Sequence, residues 1–180
     1  MKTIYLVRHA KASGQSIDAP LTKEGEKASD RLIEFFEGKK IDVIVSSPFK
    51  RAIDTVTPLA DHLGKKVMID QRLSERVLTS EQLEDWKERL KESFDNFHLC
   101  LEGGESNAYG LKRASSLYSD LLQSEKSHFL LCSHGNLSTL FLKLFDSSYG
   151  YEQLMAMTNP DVFEITIHED KIEVKRIWND

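Results

Sequence analysis

Two histidines in this 180-residue chain stand directly after apolar runs. Residues 2–7 lead into Arg8-His9, and residues 129–133 lead into His134-Gly135-Asn136. Short apolar runs of this kind read as buried strands, and in open α/β sheets the carboxyl ends of the strands form the ligand crevice. Charged and titratable groups placed there point to chemistry, and two such ends suggest one pocket. A further strand pattern, 41–46, runs into Ser46-Ser47-Pro48-Phe49-Lys50-Arg51, so Arg51 falls in the first turn of a helix. A cation there opposes the macrodipole by about 0.3–1 kcal/mol, which is tolerated when dipole and guanidinium serve one bound anion.

Arg8, Arg51, the helix start at Gly135-Asn136 and the two histidines would together make an anion pocket. A metal fits less well, because guanidiniums repel a divalent cation and neither histidine has an HExxH-like spacing with a carboxylate. Phosphate suits the set, since arginine forks meet its oxygens bidentately. A histidine that attacks phosphorus must offer a neutral ring nitrogen, a form that adjacent arginines favour while they stabilise the transferring group. His9, fixed at a strand end beside Arg8, is therefore the expected nucleophile. His134 is expected to donate to the phosphoryl oxygens, with Arg8, Arg51 and Asn136 completing the phosphate seat. The leaving alkoxide needs a proton, and Glu75, following the strand pattern 66–69 and its turn, is the carboxylate best placed to supply it and then to activate water. On position alone Glu81, Glu84, Glu88, Glu102 and Glu105 compete for that role. His62, His98, His128 and His168 read as packing or surface residues.

The elements that must position these groups alternate along the chain. Strand patterns at 2–7, 41–46, 66–69 and 127–133 are separated by helical ones, as in βαβ units with a largely parallel sheet. Residues 162–167 and 171–177 read as a hairpin at the sheet edge, its second arm protected by alternating charge. Thr22 is expected to cap a helix that buries Ala28, Leu32 and Phe35 or Phe36. Ser47 is expected to cap the next, with Pro48 at its first position and Pro58 forcing a kink or an early stop. Segment 79–98 carries Leu83, Trp86, Leu90, Phe94 and Phe97 at helical steps behind a Thr79-x-x-Gln82 capping box. It reads equally as a helical cover over the crevice or as a helix with its aromatics in the core. Gly103-Gly104-Glu105-Ser106 opens a further helix to about Leu122.

Length suits one domain, 1–180, and the 40% hydrophobic and 29% charged residues are ordinary for a globular chain. A net charge of -5 gives no general attraction to nucleic acid or to an anionic membrane, so phosphate must be held by a local cluster. There is no basic stripe and no glycine-rich loop of the P-loop type. The opening apolar run is interrupted by Arg8 too soon for a signal peptide or a span, so a cytoplasmic location is expected. Cys100 and Cys132 lack CxxC spacing, which argues against a disulfide framework or a zinc site; Cys132 reads as a small buried residue. No cofactor is implied. The expected partner is a small phosphorylated substrate, of which Trp86, Phe94, Phe97, Tyr109 and Lys11 are candidate contacts, and the oligomeric state stays open.

Leu6-Val7-Arg8-His9-Ala10, Pro20-Leu21-Thr22-x-x-Gly25, Ser46-Ser47-Pro48-x-x-Arg51-Ala52-x-x-Thr55, Leu73-x-Glu75, Gly103-Gly104-Glu105-Ser106 and Ser133-His134-Gly135-Asn136 occur in order at compatible spacing. With them the chain resembles the histidine phosphatase superfamily, also called the phosphoglycerate mutase-like family, over almost its full length. The resemblance implies a phosphohistidine at His9, a phosphate pocket of Arg8, Arg51 and His134, and Glu75 as proton donor. It also implies a three-layer α/β/α sandwich with a mostly parallel central sheet, and no metal requirement. Two positions depart from the family pattern: its usual glycine after the nucleophile is Ala10, and a common asparagine further along that loop falls at Gln15.

Within such a family the short chain leaves little beyond 79–98 to exclude water, which favours hydrolysis of a phosphomonoester over mutase-type transfer. Arg8-His9-Ala10 looks like the protein phosphohistidine phosphatases, although these lack the Leu-x-Glu element. A non-catalytic phospholigand-binding module is a further alternative; its mark would be a lost pocket residue, and Arg8, His9, Arg51 and His134 are all present.

Overall fold

The computed structural model describes residues 1–179. Within them run β1 (Lys2–Arg8), α1 (Lys23–Phe35), β2 (Val43–Ser46), α2 (Lys50–His62), β3 (Val67–Ile69), α3 (Trp86–Asp95), α4 (Asn107–Gln123), β4 (His128–Ser133), α5 (Gly135–Lys143), α6 (Tyr151–Ala156), β5 (Asp161–Ile167) and β6 (Ile172–Arg176). The strands form one sheet in the order β3-β2-β4-β1-β5-β6. Its first four members are parallel, and the β5–β6 hairpin adds an antiparallel edge, as the charge-alternating arm suggests.

Alternation along β1 divides the core. Ile4 and Leu6 pack with Leu117, Leu140 and Phe141 of α4 and α5 on one face, and Tyr5 and Val7 pack with Leu32, Val56 and Leu59 of α1 and α2 on the other. Because helices cover both faces, β1 and β4 are apolar at successive positions. The result is the three-layer α/β/α sandwich. Cys132 is fully buried in β4.

Several local expectations are corrected. Thr22 does cap α1, its hydroxyl accepting Gly25 N–H at 3.1 Å, and Leu32 and Phe36 are buried as expected, but Ala28 is only half-buried and Gly25 and Ser29 complete the stripe. Gly25 is required there because a Cβ would stand 2.1 Å from Lys11 O, so the motif seats the loop that follows β1. Helix α2 begins at Lys50 rather than at Pro48, and Ser47 serves another residue. Pro58 neither stops α2 nor leaves its missing bond unanswered. Ser29 Oγ reaches Asp54 O, the carbonyl four residues before Pro58, at 3.1 Å, and Thr55 O at 2.6 Å. In segment 79–98 the capping box does not form. Thr79 Oγ1 instead donates to Glu102 O at 2.9 Å and accepts Glu81 N–H, so the helix starts only at Trp86.

Parallel strands bring their carboxyl ends to one sheet edge. Arg8 pairs with Ser133 and Ser46 with Cys132, so Arg8-His9, Ser47 and His134 start from neighbouring positions. Among the described residues no helix is long and apolar enough to cross a membrane, and no group of three His, Cys, Asp or Glu could hold a metal ion.

Candidate active site

His9 is held by its backbone before its ring is considered. Its N–H donates to Ser133 O at 3.0 Å, extending the β1–β4 ladder, and its carbonyl accepts from Asn159 Nδ2 at 2.9 Å. The imidazole Nδ1 lies 2.7 Å from Ala10 O, and Nε2 accepts Arg51 Nε–H at 3.2 Å. A carbonyl can only accept and a guanidinium can only donate, so the proton sits on Nδ1 and the lone pair on Nε2. Burial, and after it the charges of Arg51 and Arg8, lower the His9 pKa to about 4, against the opposing pull of Ala10 O. The expected direction is thus found, with burial as the larger cause.

Ala10 fits without strain, since among the described residues no side-chain-bearing residue adopts a positive φ. Its N–H donates to Thr55 Oγ1 at 2.9 Å, which in turn donates to Arg51 O at 2.7 Å. Thr55 thereby locks the turn after the strand to the helix that carries Arg51. Arg51 itself is 2% exposed, with Nη1 on Gln15 O and Ser16 O at 3.2 and 2.9 Å and its guanidinium 5.0 Å from the Phe49 ring centroid. Arg8 donates Nη1 to Met157 O at 3.1 Å, while its buried Nε has no hydrogen-bond partner among the described residues. Gly135 allows this approach: a Cβ there would lie 3.0 Å from Arg8 Cζ and Nη2 and 2.8 Å from Leu154 Cδ1.

His134 is fully buried at the N-cap of α5, with its ring centroid 5.1 Å from that of His9 and 4.7 Å from that of Phe49. Its Nε2 lies 2.7 Å from Ser47 Oγ, which also accepts Phe49 N–H at 3.2 Å. A hydroxyl has two lone pairs and one hydrogen, so beside the Phe49 N–H it can either donate to Nε2 or accept from it, and the contact holds the ring in either tautomer. Nδ1 is buried and has no hydrogen-bond partner among the described residues. Burial, followed by the charges of His9, Arg51 and Arg8, keeps the ring neutral, its pKa well below the ordinary value.

Glu75 caps α5 from a distant loop. Oε1 accepts Leu137 N–H and Arg76 N–H, both at 2.9 Å, and Oε2 accepts Asn136 N–H at 3.1 Å. The helix-start amides expected to face phosphate are therefore held by Glu75 at Asn136 and Leu137. The Asn136 side chain donates Nδ2 to Asn107 Oδ1 at 3.0 Å. Asn107 Nδ2 continues to Ser93 O at 3.0 Å, and Ser93 Oγ accepts Arg76 Nη1 at 3.2 Å. This buried chain joins α3, α4 and α5 to the loop that carries Glu75.

A crevice of about 710 Å³ is lined at one end by Arg8, Gln15, Phe49, Arg51, Glu75, Gly135, Asn136 and Asn159. His9 adjoins it through Arg51, and His134 through Phe49. Of the candidate substrate contacts only Trp86 lines it; Phe94 and Phe97 pack on the core, Tyr109 is exposed elsewhere, and Lys11 pairs with Glu24 at 2.8 Å. The competing Glu81, Glu84, Glu88, Glu102 and Glu105 are not part of this lining. Sequence reasoning missed Ser47 as the partner of His134, although it was visible beside Pro48 as a polar residue at a strand end. It also missed Asn159, which lies 150 residues from His9 and carries no local signal.

The sequence model of the histidine phosphatase superfamily, branch 1, matches residues 4–180. A protein of Hydrogenobacter thermophilus named "putative phosphoserine phosphatase 2" is 29% identical over 188 residues, covering 95% of this chain and 92% of its own. A probable phosphoglycerate mutase of Enterobacter sp. (strain 638) is 30% identical, covering 75% and 70% respectively. In fold the chain is similar to mycobacterial glucosyl-3-phosphoglycerate phosphatase in complex with inorganic phosphate, at a TM-score of 0.81 and 22% identity over 100% of this chain and 98% of that one.

Proposed function

Given that the chain belongs to the histidine phosphatase superfamily, we propose that it hydrolyses a phosphomonoester through a phosphohistidine on His9. The observation that carries this reading is the His9 ring: neutral, with its proton held on Nδ1 by Ala10 O and its Nε2 lone pair set among Arg51 and Arg8. Nε2 attacks phosphorus and the ester P–O bond breaks, while Arg8, Arg51 and His134 take the phosphoryl oxygens. Glu75 gives the leaving alkoxide its proton. Oε2, which accepts one N–H against two at Oε1, is the oxygen left with room to carry it. The carboxylate then takes a proton from water, whose oxygen attacks phosphorus, breaks the N–P bond and releases orthophosphate.

Asn136, which lines the crevice, acts in this scheme through its amide on Glu75 as well as beside the phosphate seat. Segment 79–98 lends Thr79, Trp86 and Leu90 to the crevice wall, which supports a partial cover that leaves water access. Openness to water favours hydrolysis over mutase-type transfer.

The test is phosphate release from a panel of sugar, glycerate and nucleoside monophosphates and phosphohistidine, by wild type and His9→Ala. Release that His9→Ala abolishes is expected. Near-normal activity in His9→Ala would remove the covalent step, and transfer between glycerate positions faster than release would mark a mutase.

A further inference from the structure

Away from the phosphate end, the crevice changes character. Its outer wall is Val77, Leu78, Trp86, Leu90, Leu154 and Met155, contributed by the loop before α3, by α3 and by α6. Three of these are large apolar side chains left open to solvent: Val77 is 44% exposed, Trp86 45% and Met155 42%. Polar residues interleaved with them are already engaged. Arg76 is 3% exposed and sends Nε to Glu105 O at 2.9 Å and Nη1 to Ser93 Oγ at 3.2 Å, so its charge is anchored inward. The Thr79 hydroxyl is used by Glu102 O and Glu81 N–H, and the Asn159 amide by His9 O.

A polyhydroxylated or zwitterionic alcohol seated on this wall would lose water and find few open partners. An apolar one removes its own surface and that of the wall from water together. The wall is also continuous with the residues that hold phosphate, so whatever hangs from the phosphate must lie along it. We propose that the alcohol portion of the substrate is apolar, an aromatic or branched aliphatic group lying between α3 and α6 against Trp86 and Met155. This assignment rests on the phosphatase reading above and narrows it to a substrate class.

Phenylpropyl phosphate and glycerol phosphate test it, because both release an alkoxide and so differ little in leaving-group chemistry. The wild type is expected to show a kcat/KM roughly 10–100-fold higher for the phenylpropyl ester. Trp86→Ala should shrink that ratio about tenfold, whereas Met68→Ala, which removes a side chain 58% exposed on β3 outside the crevice, should leave the ratio alone. Equal kcat/KM for the two esters, or a ratio that Trp86→Ala does not move, overturns the assignment. Titration of His9→Ala with both esters separates the two levels of the argument. Tighter binding of the phenylpropyl ester without turnover by wild type would overturn the phosphatase reading and uphold the apolar wall, and equal affinities with turnover would do the reverse.

Discussion

Arg51 donates its Nε–H to His9 Nε2 at 3.2 Å, so the guanidinium covers the one ring nitrogen with a free lone pair. A phosphoryl group reaching that nitrogen must take the arginine's hydrogen bond onto its own oxygen. Arg51 thus orients the ring before substrate arrives and stabilises charge afterwards. Arg51→Lys keeps the charge and loses the planar fork, and is expected to lower kcat roughly 100-fold. Alkaline quench during turnover should trap phosphate on His9 in the wild type and far less of it in the variant; a wild-type rate in Arg51→Lys would remove this role.

Glu75 is fixed by three backbone N–H groups, two of them in the first turn of α5. Glu75→Gln retains an acceptor but has no proton to give. Alkyl esters, whose alkoxides need that proton, should slow by about 100-fold or more, and an aryl phosphate much less. The measurement is the dependence of kcat/KM on leaving-group pKa, expected to steepen in the variant. An unchanged slope would leave Glu75 with only its capping role.

His9 has a pKa of about 4 in the folded protein and about 6.5 when exposed. Between those values the unfolded chain binds the proton that the folded one refuses, so stability is complete above pH 6.5 and declines as pH falls toward 4. From neutral pH to pH 5 the loss assigned to His9 is about 2 kcal/mol. His134, depressed as well, steepens it. Urea unfolding of wild type and His9→Asn at the two pH values should show the smaller decline in the variant; equal declines would contradict a neutral, buried His9. Activity limited by His9 should likewise persist below pH 6.

Ser47 Oγ lies 2.7 Å from His134 Nε2 and fixes the orientation of the ring. In Ser47→Ala the ring loses this partner and its fixed orientation, and kcat/KM should fall about tenfold for one weakened hydrogen bond to the transferring group. The imidazole nitrogen NMR shifts of His134 report the proton's position directly. If they are the same in both proteins, Ser47 contributes packing alone.

The strand ends made His9, Arg51 and His134 legible in sequence, because an apolar run followed by a charged residue is a signal of period and position that packing does not disturb. Glu75 was visible as a carboxylate after a strand, but its attachment to α5 was not, since nothing in residues 73–75 names the amides of Asn136 and Leu137. Helix starts were the weakest inference. Thr79 and Ser47 both carry N-cap chemistry, yet Thr79 is claimed by Glu102 O and Ser47 by His134, partners supplied only by tertiary packing. The path from Arg76 through Ser93 and Asn107 to Asn136 was unreadable for the same reason: each member is an ordinary polar residue until the helices meet.

β1 is paired on both sides from Thr3 to Arg8, by β4 and by β5. Its amides can meet solvent only when the sheet comes apart, so the strand that ends at the nucleophile belongs to the last part of the protein to open. The stretch from Val77 to Asp85 has no such ladder, consists mostly of exposed or half-exposed residues and is tied down at Thr79, Ser80 and Glu105. Hydrogen exchange should divide the site accordingly, with slow amides under His9 and fast ones leading to Trp86. Transfer chemistry and substrate choice thus sit on segments of unequal stability, and residues of the second can change while those of the first stay in register.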